Sequence, residues 1–190
     1  MSQIILMRHA KVKIDIPTIY SRQMKEFIKA YNQAPIELDD VCDELKSIID
    51  SVDIVLSSEL SRTKETLKYL GKEAQHSDTI FNEAELSYAN GKIVKLPATV
   101  WTILFRIMWL FGYSKYSESY KEAKVRAKLA ADTLIAYAKA DKSVLLVGHG
   151  VMNKLISKEL TKKRGVALVE QTGNGNLGYT IFQVSENIEC

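Results

Sequence analysis

Three apolar runs in this chain stop abruptly at polar residues. IILM (4–7) runs into Arg8 and His9, IVL (54–56) into Ser57 and Ser58, and VLLV (144–147) into Gly148, His149 and Gly150. Short continuous apolar runs, rather than strict alternation, mark strands buried on both faces. The stretches between them place apolar residues at helical spacing. Strand alternating with helix predicts a mostly parallel sheet covered on both faces, a three-layer α/β/α sandwich. In such sheets ligands bind outside the carboxyl ends of the strands. The polar tips are therefore expected to meet in one crevice.

The spacing predicts strands over 3–7, 53–58, 143–150 and 177–184, the last closing the sheet, and a short strand over 79–82. Helices are expected over 17–32, with Pro17 in the first turn, over 40–50, capped by Asp39 or Asp40, and over 59–73, 97–111, 117–140 and 151–161. Residues 89–96 read as irregular. For 117–140 the expected buried side is Val125, Leu129, Leu134, Ile135 and Tyr137. No internal repeat or low-complexity segment interrupts the pattern.

A length of 190 residues predicts one domain over 1–190 with a core able to fold alone. A net charge of +3, with lysines evenly spread, argues against a nucleic-acid partner. Cys42 and Cys190 have neither disulfide-framework nor metal-ligand spacing, which fits a reducing compartment. The first apolar run is too short for a signal peptide. The most apolar segment, Leu96 to Phe111, falls short of the ~20 residues that span a bilayer, and Arg106 interrupts it. The expectation is a cytoplasmic protein with no membrane partner.

The chain holds three histidines, and two of them, His9 and His149, directly follow apolar strands. A lone histidine at a strand end is usually structural; two of them, with Arg8 beside one and Arg62 after a third strand, describe a cationic crevice. Arginine presents a planar fork of donors that matches phosphate oxygens. Gly150 would permit close backbone approach, and the helix after it would aim its amides at the same anion. Blander readings stand beside these. Arg62 could pair with Glu59 or Glu65, and Ser57 and Ser58 could cap the next helix instead of touching phosphate. His76, in QHSD, reads as surface, and Asn174 and Asn176, in TGNGNLG, as turn residues. No His/Asp/Glu cluster has metal-binding spacing.

LMRHAKV, LSSELSRTKETLKYL, FNEAEL and VGHGVMNKLI, in that order, resemble the motifs of the histidine phosphatase superfamily, which includes the cofactor-dependent phosphoglycerate mutases. The resemblance runs from residue 3 to 184 and implies a phosphoglycerate mutase-like fold with a variable helical insert at about 90–120. It implies that His9 is the nucleophile, that Arg8, Arg62 and His149 hold the phosphoryl group with Ser58 and Gly150, and that Glu83 is the proton donor, with Glu85 competing. Ala10 stands where the family usually has glycine. Lys11 to Asp15 depart from the mutases' further consensus.

The expected function is metal-independent, cofactor-free hydrolysis of a small phosphate monoester through a phosphohistidine at His9. Alternatives are mutase-type phosphoryl transfer and a non-catalytic phospholigand-binding module on the same fold. Segment 97–111 is apolar all round, which reads as a packing helix, or as a lid giving the substrate pocket an apolar wall, or as a dimer surface. Substrate identity and oligomeric state stay open.

Overall fold

The protein was analysed as a computed structural model that describes residues 2–37, 41–139, 142–173 and 175–185. The expected central strands form where the apolar runs lie: β1 (Ser2–Arg8), β3 (Ile54–Ser57), β6 (Ser143–Gly148) and β8 (Tyr179–Val184). Two short strands, β2 (Thr18–Tyr20) and β4 (His76–Ser77), a third, β5 (Lys95–Pro97), and a longer one, β7 (Val166–Gln171), complete the set. Six strands make one sheet in the order β4-β3-β6-β1-β8-β7, while β2 and β5 form a separate antiparallel pair. The pairings β1–β6, β3–β6 and β3–β4 are parallel, and β1–β8 and β7–β8 antiparallel. The sheet is thus mostly parallel with an antiparallel edge. β8 does not close it, because β7 lies outside it. That strand is largely exposed although its first four residues, VALV, are apolar, and it lies outside the elements expected from the sequence.

Strand period two divides the core. Ile4, Leu6, Leu56, Val144, Leu146 and Phe182 face α5 (Tyr120–Ala138) and α6 (Gly150–Leu160). Ile5, Met7, Val55, Leu145, Val147 and Ile181 face α2 (Asp43–Asp50) and α3 (Ser61–Tyr69). A smaller cluster of Ile19, Met24, Ala98 and Phe105 ties β2 to α1 (Met24–Gln33) and α4 (Ala98–Leu110).

Several local expectations are corrected. Residues 18–20 are strand, not helix, because they pair with β5; Pro17 precedes that strand and its carbonyl accepts from the Ala98 amide at 2.9 Å. Residues 79–81 form a 3₁₀ turn capped by Asp78, not a strand. The N-cap of α2 is Cys42; Asp39 and Asp40 lie outside the described residues.

The buried side of α5 is also corrected. Val125 and Leu129 are 66% and 55% exposed, and the buried stripe is Ala123, Ala127, Ala130, Ala131, Leu134, Ile135 and Ala138. Alanine lets the helix lie close to the sheet, so size at the contact outweighs hydrophobicity.

α4 buries Ala98, Phe105 and Trp109, and leaves Ile103, Ile107, Leu110 and Phe111 facing out. It is therefore only partly the packing helix its composition indicates. Among the described residues no helix is long and apolar enough to cross a membrane.

Candidate active site

The parallel register aligns the ends of β1 and β6, with Arg8 opposite Gly148. The first residues past each end, His9 and His149, therefore emerge side by side, ring centroids 5.1 Å apart. The amide of His9 donates to the carbonyl of Gly148 at 3.1 Å, which extends the pairing by one residue. Asn153 of α6 links the same ends. Its Nδ2 donates to the Met7 carbonyl at 3.0 Å, and its Oδ1 accepts from the His149 amide at 3.3 Å. Asn176 donates to the His9 carbonyl at 3.0 Å, so it anchors the nucleophile candidate in addition to forming a turn. Ala10 is buried, does not adopt positive φ, and its amide donates to Oγ1 of Thr66 at 3.0 Å. The backbone here has no need of glycine.

The protonation of His9 follows from its neighbours. Nδ1 lies 2.7 Å from the carbonyl oxygen of Ala10. A carbonyl only accepts, so Nδ1 carries the hydrogen. Nε2 is then the lone-pair nitrogen, and it accepts from Nε of Arg62 at 3.2 Å. The ring is 3% exposed. Burial pushes its pKa down to about 3, against the rise from the Ala10 bond, and Arg62 and Arg8 add to the lowering. His149 is likewise neutral, held well below the usual imidazole range by burial and then by Arg62, His9 and Arg8.

His149 is fixed in the opposite tautomer. Its Nδ1 accepts from Nε of Arg62 at 3.3 Å, so Nε2 carries the hydrogen and donates to Oγ of Ser58 at 2.7 Å. Ser58 also accepts from the Leu60 amide at 3.2 Å and meets Oγ1 of Thr63 at 3.0 Å. The Ser58 hydroxyl is thus bonded to His149 and orients that ring. Ser57 bonds the Ser58 carbonyl and Oγ of Ser77, away from the histidines.

Arg62 is the hub. Beyond its two histidine contacts, Nη1 donates to Oδ1 of Asn32 at 2.8 Å, and the guanidinium lies over the ring of Tyr31, 5.4 Å from its centroid. Burial lowers its pKa, partly offset by Tyr31 and Glu83. It pairs with neither Glu59 nor Glu65; the Glu65 carboxylate instead accepts from the Ile36 amide at 3.2 Å. No sequence signal assigns Tyr31 and Asn32 to the site. They arrive because residues 11–13 pair with 35–37 and fold α1 back over α3, through Glu37 N to Lys11 O at 2.6 Å and Lys13 N to Pro35 O at 2.8 Å.

Arg8 lies against Gly150: a Cβ at Gly150 would stand 3.5 Å from the guanidinium carbon, ordinary contact. Both residues line a cavity of about 300 Å³ that continues along α6 past Asn153, Lys154 and Lys158.

Glu83 reaches the N-terminus of α6. Its Oε1 accepts from Met152 N at 3.0 Å and from Ala84 N at 3.0 Å, and its Oε2 from Val151 N at 3.3 Å. A carboxylate at a helix N-terminus is favoured by the free amides and the macrodipole. The expectation that these amides face the phosphate is thereby narrowed to Gly150, since the next two serve Glu83. Glu85 is exposed and accepts from the Glu118 amide at 3.2 Å, outside the histidine cluster. His76 is exposed at β4, its ring 5.4 Å from that of Tyr137. Asn174 lies outside the described residues. Among the described residues no group of three His, Cys, Asp or Glu side chains could hold a metal ion.

The arrangement offers two unprotonated imidazole nitrogens, Nε2 of His9 and Nδ1 of His149, both turned to the Arg62 guanidinium. The family profile described as histidine phosphatase superfamily (branch 1) matches residues 4–188. Similar solved structures include a protein described as Mycobacterial hydrolase 1, 15% identical over 96% of this chain and 89% of that one, with a TM-score of 0.57. Phosphoserine phosphatase from Entamoeba histolytica in complex with phosphoserine is 15% identical over 95% and 90%, with a TM-score of 0.56. The Entamoeba histolytica enzyme with 3-phosphoglyceric acid is 18% identical over the same shares, 95% and 90%, with a TM-score of 0.54. At these identities the likeness is one of fold. No curated protein sequence matches the chain.

Proposed function

Because the chain belongs to the histidine phosphatase superfamily, we propose that it hydrolyses small phosphate monoesters through a phosphohistidine at Nε2 of His9. The observation that carries this reading is the tautomer of His9. Its hydrogen is committed to the Ala10 carbonyl through Nδ1, leaving the Nε2 lone pair directed at Arg62 inside a buried cationic site.

In the first step the Nε2 lone pair attacks phosphorus in line with the ester oxygen. The N–P bond forms as the P–O bond breaks, and Glu83 relays to the departing alkoxide the proton that the monoester monoanion brings in. In the second step Glu83, now a carboxylate, accepts a proton from water as that water attacks phosphorus. The N–P bond breaks, inorganic phosphate leaves with the proton held by Glu83, and His9 and Glu83 return to their starting states. Charge spreads over the equatorial phosphoryl oxygens in each transition state, where Arg8, Arg62 and the Gly150 amide stabilise it. His149, fixed by Ser58, holds Arg62 in register with His9. No step runs through a metal.

The test is hydrolysis of para-nitrophenyl phosphate with EDTA present, comparing wild type with His9→Ala, together with a denaturing alkaline quench to seek a base-stable, acid-labile phosphoprotein. The expected result is wild-type turnover that survives EDTA and a variant at background without label. Equal turnover in both proteins would remove His9 from the nucleophile's role. Phosphoserine and related small esters form the first substrate panel.

A further inference from the structure

The loop that carries Glu83 is gripped by two guanidinium groups from different helices. Arg126 of α5 donates through Nη1 to the carbonyls of Ile80 at 2.9 Å, Asn82 at 2.7 Å and Thr79 at 3.4 Å. Its Nε and Nη2 form a two-point pair with the Glu118 carboxylate, Nε to Oε2 at 3.1 Å. Arg106 of α4 donates through Nη1 to the Glu85 carbonyl at 3.1 Å and through Nη2 to the Ala84 carbonyl. The carbonyl before Glu83 and the two after it are each fixed by an arginine.

Arg106 projects from an apolar helix. Its guanidinium lies 5.2 Å from the Trp109 ring centroid, and burial lowers its pKa while Glu83 and then Glu118 push the other way. Burying a guanidinium for two neutral carbonyls is costly, and a nearby carboxylate offsets the cost. That carboxylate belongs to the candidate acid. The carboxyl group must meet the leaving oxygen within hydrogen-bond reach, and a displacement of about 1 Å lowers rate on the order of 10²-fold.

Resting on the phosphatase reading, we propose that Arg106, with Arg126 as its counterpart, is a positioning residue for general-acid catalysis. It locks the backbone on either side of Glu83 and so makes α4 part of the catalytic apparatus rather than only a cover. Neither arginine touches the reacting atoms.

The leaving group distinguishes this role from general scaffolding. An alkoxide needs a proton to depart, whereas para-nitrophenolate needs almost none. Arg106→Met keeps the apolar stem on Trp109 and removes the donors. Its kcat/KM, which reports only the steps through phosphorylation of His9 and not the shared dephosphorylation, is expected to fall about 10- to 100-fold on phosphoserine and less than about 3-fold on para-nitrophenyl phosphate. Glu83→Gln is expected to show the same selective loss, and the double variant to be no worse than Glu83→Gln alone. Arg106→Lys, which keeps the charge but reaches one carbonyl, is expected to fall between wild type and Arg106→Met. Equal losses on both esters, or additive losses in the double variant, would overturn the positioning role and leave the phosphatase reading intact. A wild type inert on both esters would overturn both.

Discussion

Nε of Arg62 donates its hydrogen to Nε2 of His9 across 3.2 Å. The nitrogen with the free lone pair is thus held by the cation that is expected to receive the phosphoryl oxygens. The contact must break as phosphorus arrives, so Arg62 both fixes the ring and exchanges it for substrate. A lysine could not donate to two rings and Asn32 from one planar group. Arg62→Lys is expected to lower kcat/KM about 10²-fold, and Arg62→Ala further. Steady-state kinetics on an aryl phosphate checks this, and near-wild-type turnover of the lysine variant would contradict it.

Ser58 is expected to act through His149. Ser58→Ala removes the acceptor for Nε2–H and leaves a buried donor unsatisfied, at a cost of about 1–3 kcal/mol in stability. The freed ring can rotate, so kcat is expected to drop about 10-fold with little change in KM. Urea unfolding and kinetics together test it; a weakened KM with normal kcat would instead make Ser58 a substrate contact.

Two neutral buried imidazoles make stability depend on pH. In the unfolded chain each ring gains a proton as pH falls through its ordinary value of 6.5, whereas in the folded protein burial keeps both neutral, His9 down to about 3. The unfolded state then binds more protons, so stability is complete above pH 6.5 and declines as pH falls below it. Each ring contributes a slope of about 1.4 kcal/mol per pH unit. Urea titrations between pH 7.5 and 4.5 should show this slope, and His9→Asn should reduce it by one ring's share. Parallel slopes in the two proteins would show that His9 is not buried as a neutral group.

The alanine stripe of α5 gives a contrast of opposite sense to hydrophobicity. Val125→Glu, at a side chain 66% exposed, is expected to change stability by less than about 0.5 kcal/mol. Ala127→Leu, at a fully buried position, is expected to cost about 1–3 kcal/mol through overpacking against the sheet. Thermal unfolding of the two variants decides the matter, and the reverse order would refute the packing described.

Gly178 accepts from the Arg8 amide at 3.0 Å, and a Cβ there would overlap the carbonyl oxygen of Gly173. Backbone cannot yield as a flexible side chain can. Gly178→Ala is expected to displace the strap across β1 and lower both stability and turnover. Unchanged thermal unfolding would show that the strap adjusts.

The sequence by itself determined the central strands, with His9 and His149 just past the ends of two of them and Arg62 on the helix that follows a third. The continuous apolar runs of β1, β3 and β6 are buried, and parallel pairing puts their carboxyl ends together. The motif singled out Glu83 with Glu85 competing, and spacing says nothing of which side chain turns inward; the fold sets Glu83 at the N-terminus of α6 and Glu85 on the Glu118 amide. Tertiary structure decided the rest. It placed Tyr31 and Asn32 against Arg62 by pairing 11–13 with 35–37, a long-range contact that no local pattern records. It joined the Ser58 hydroxyl to Nε2 of His149, a pairing between distant parts of the chain that no local pattern records. It buried alanines rather than Val125 and Leu129, because the distance between helix and sheet sets the side-chain size that fits. Periodicity gives the faces of an element; only packing decides which face is wanted.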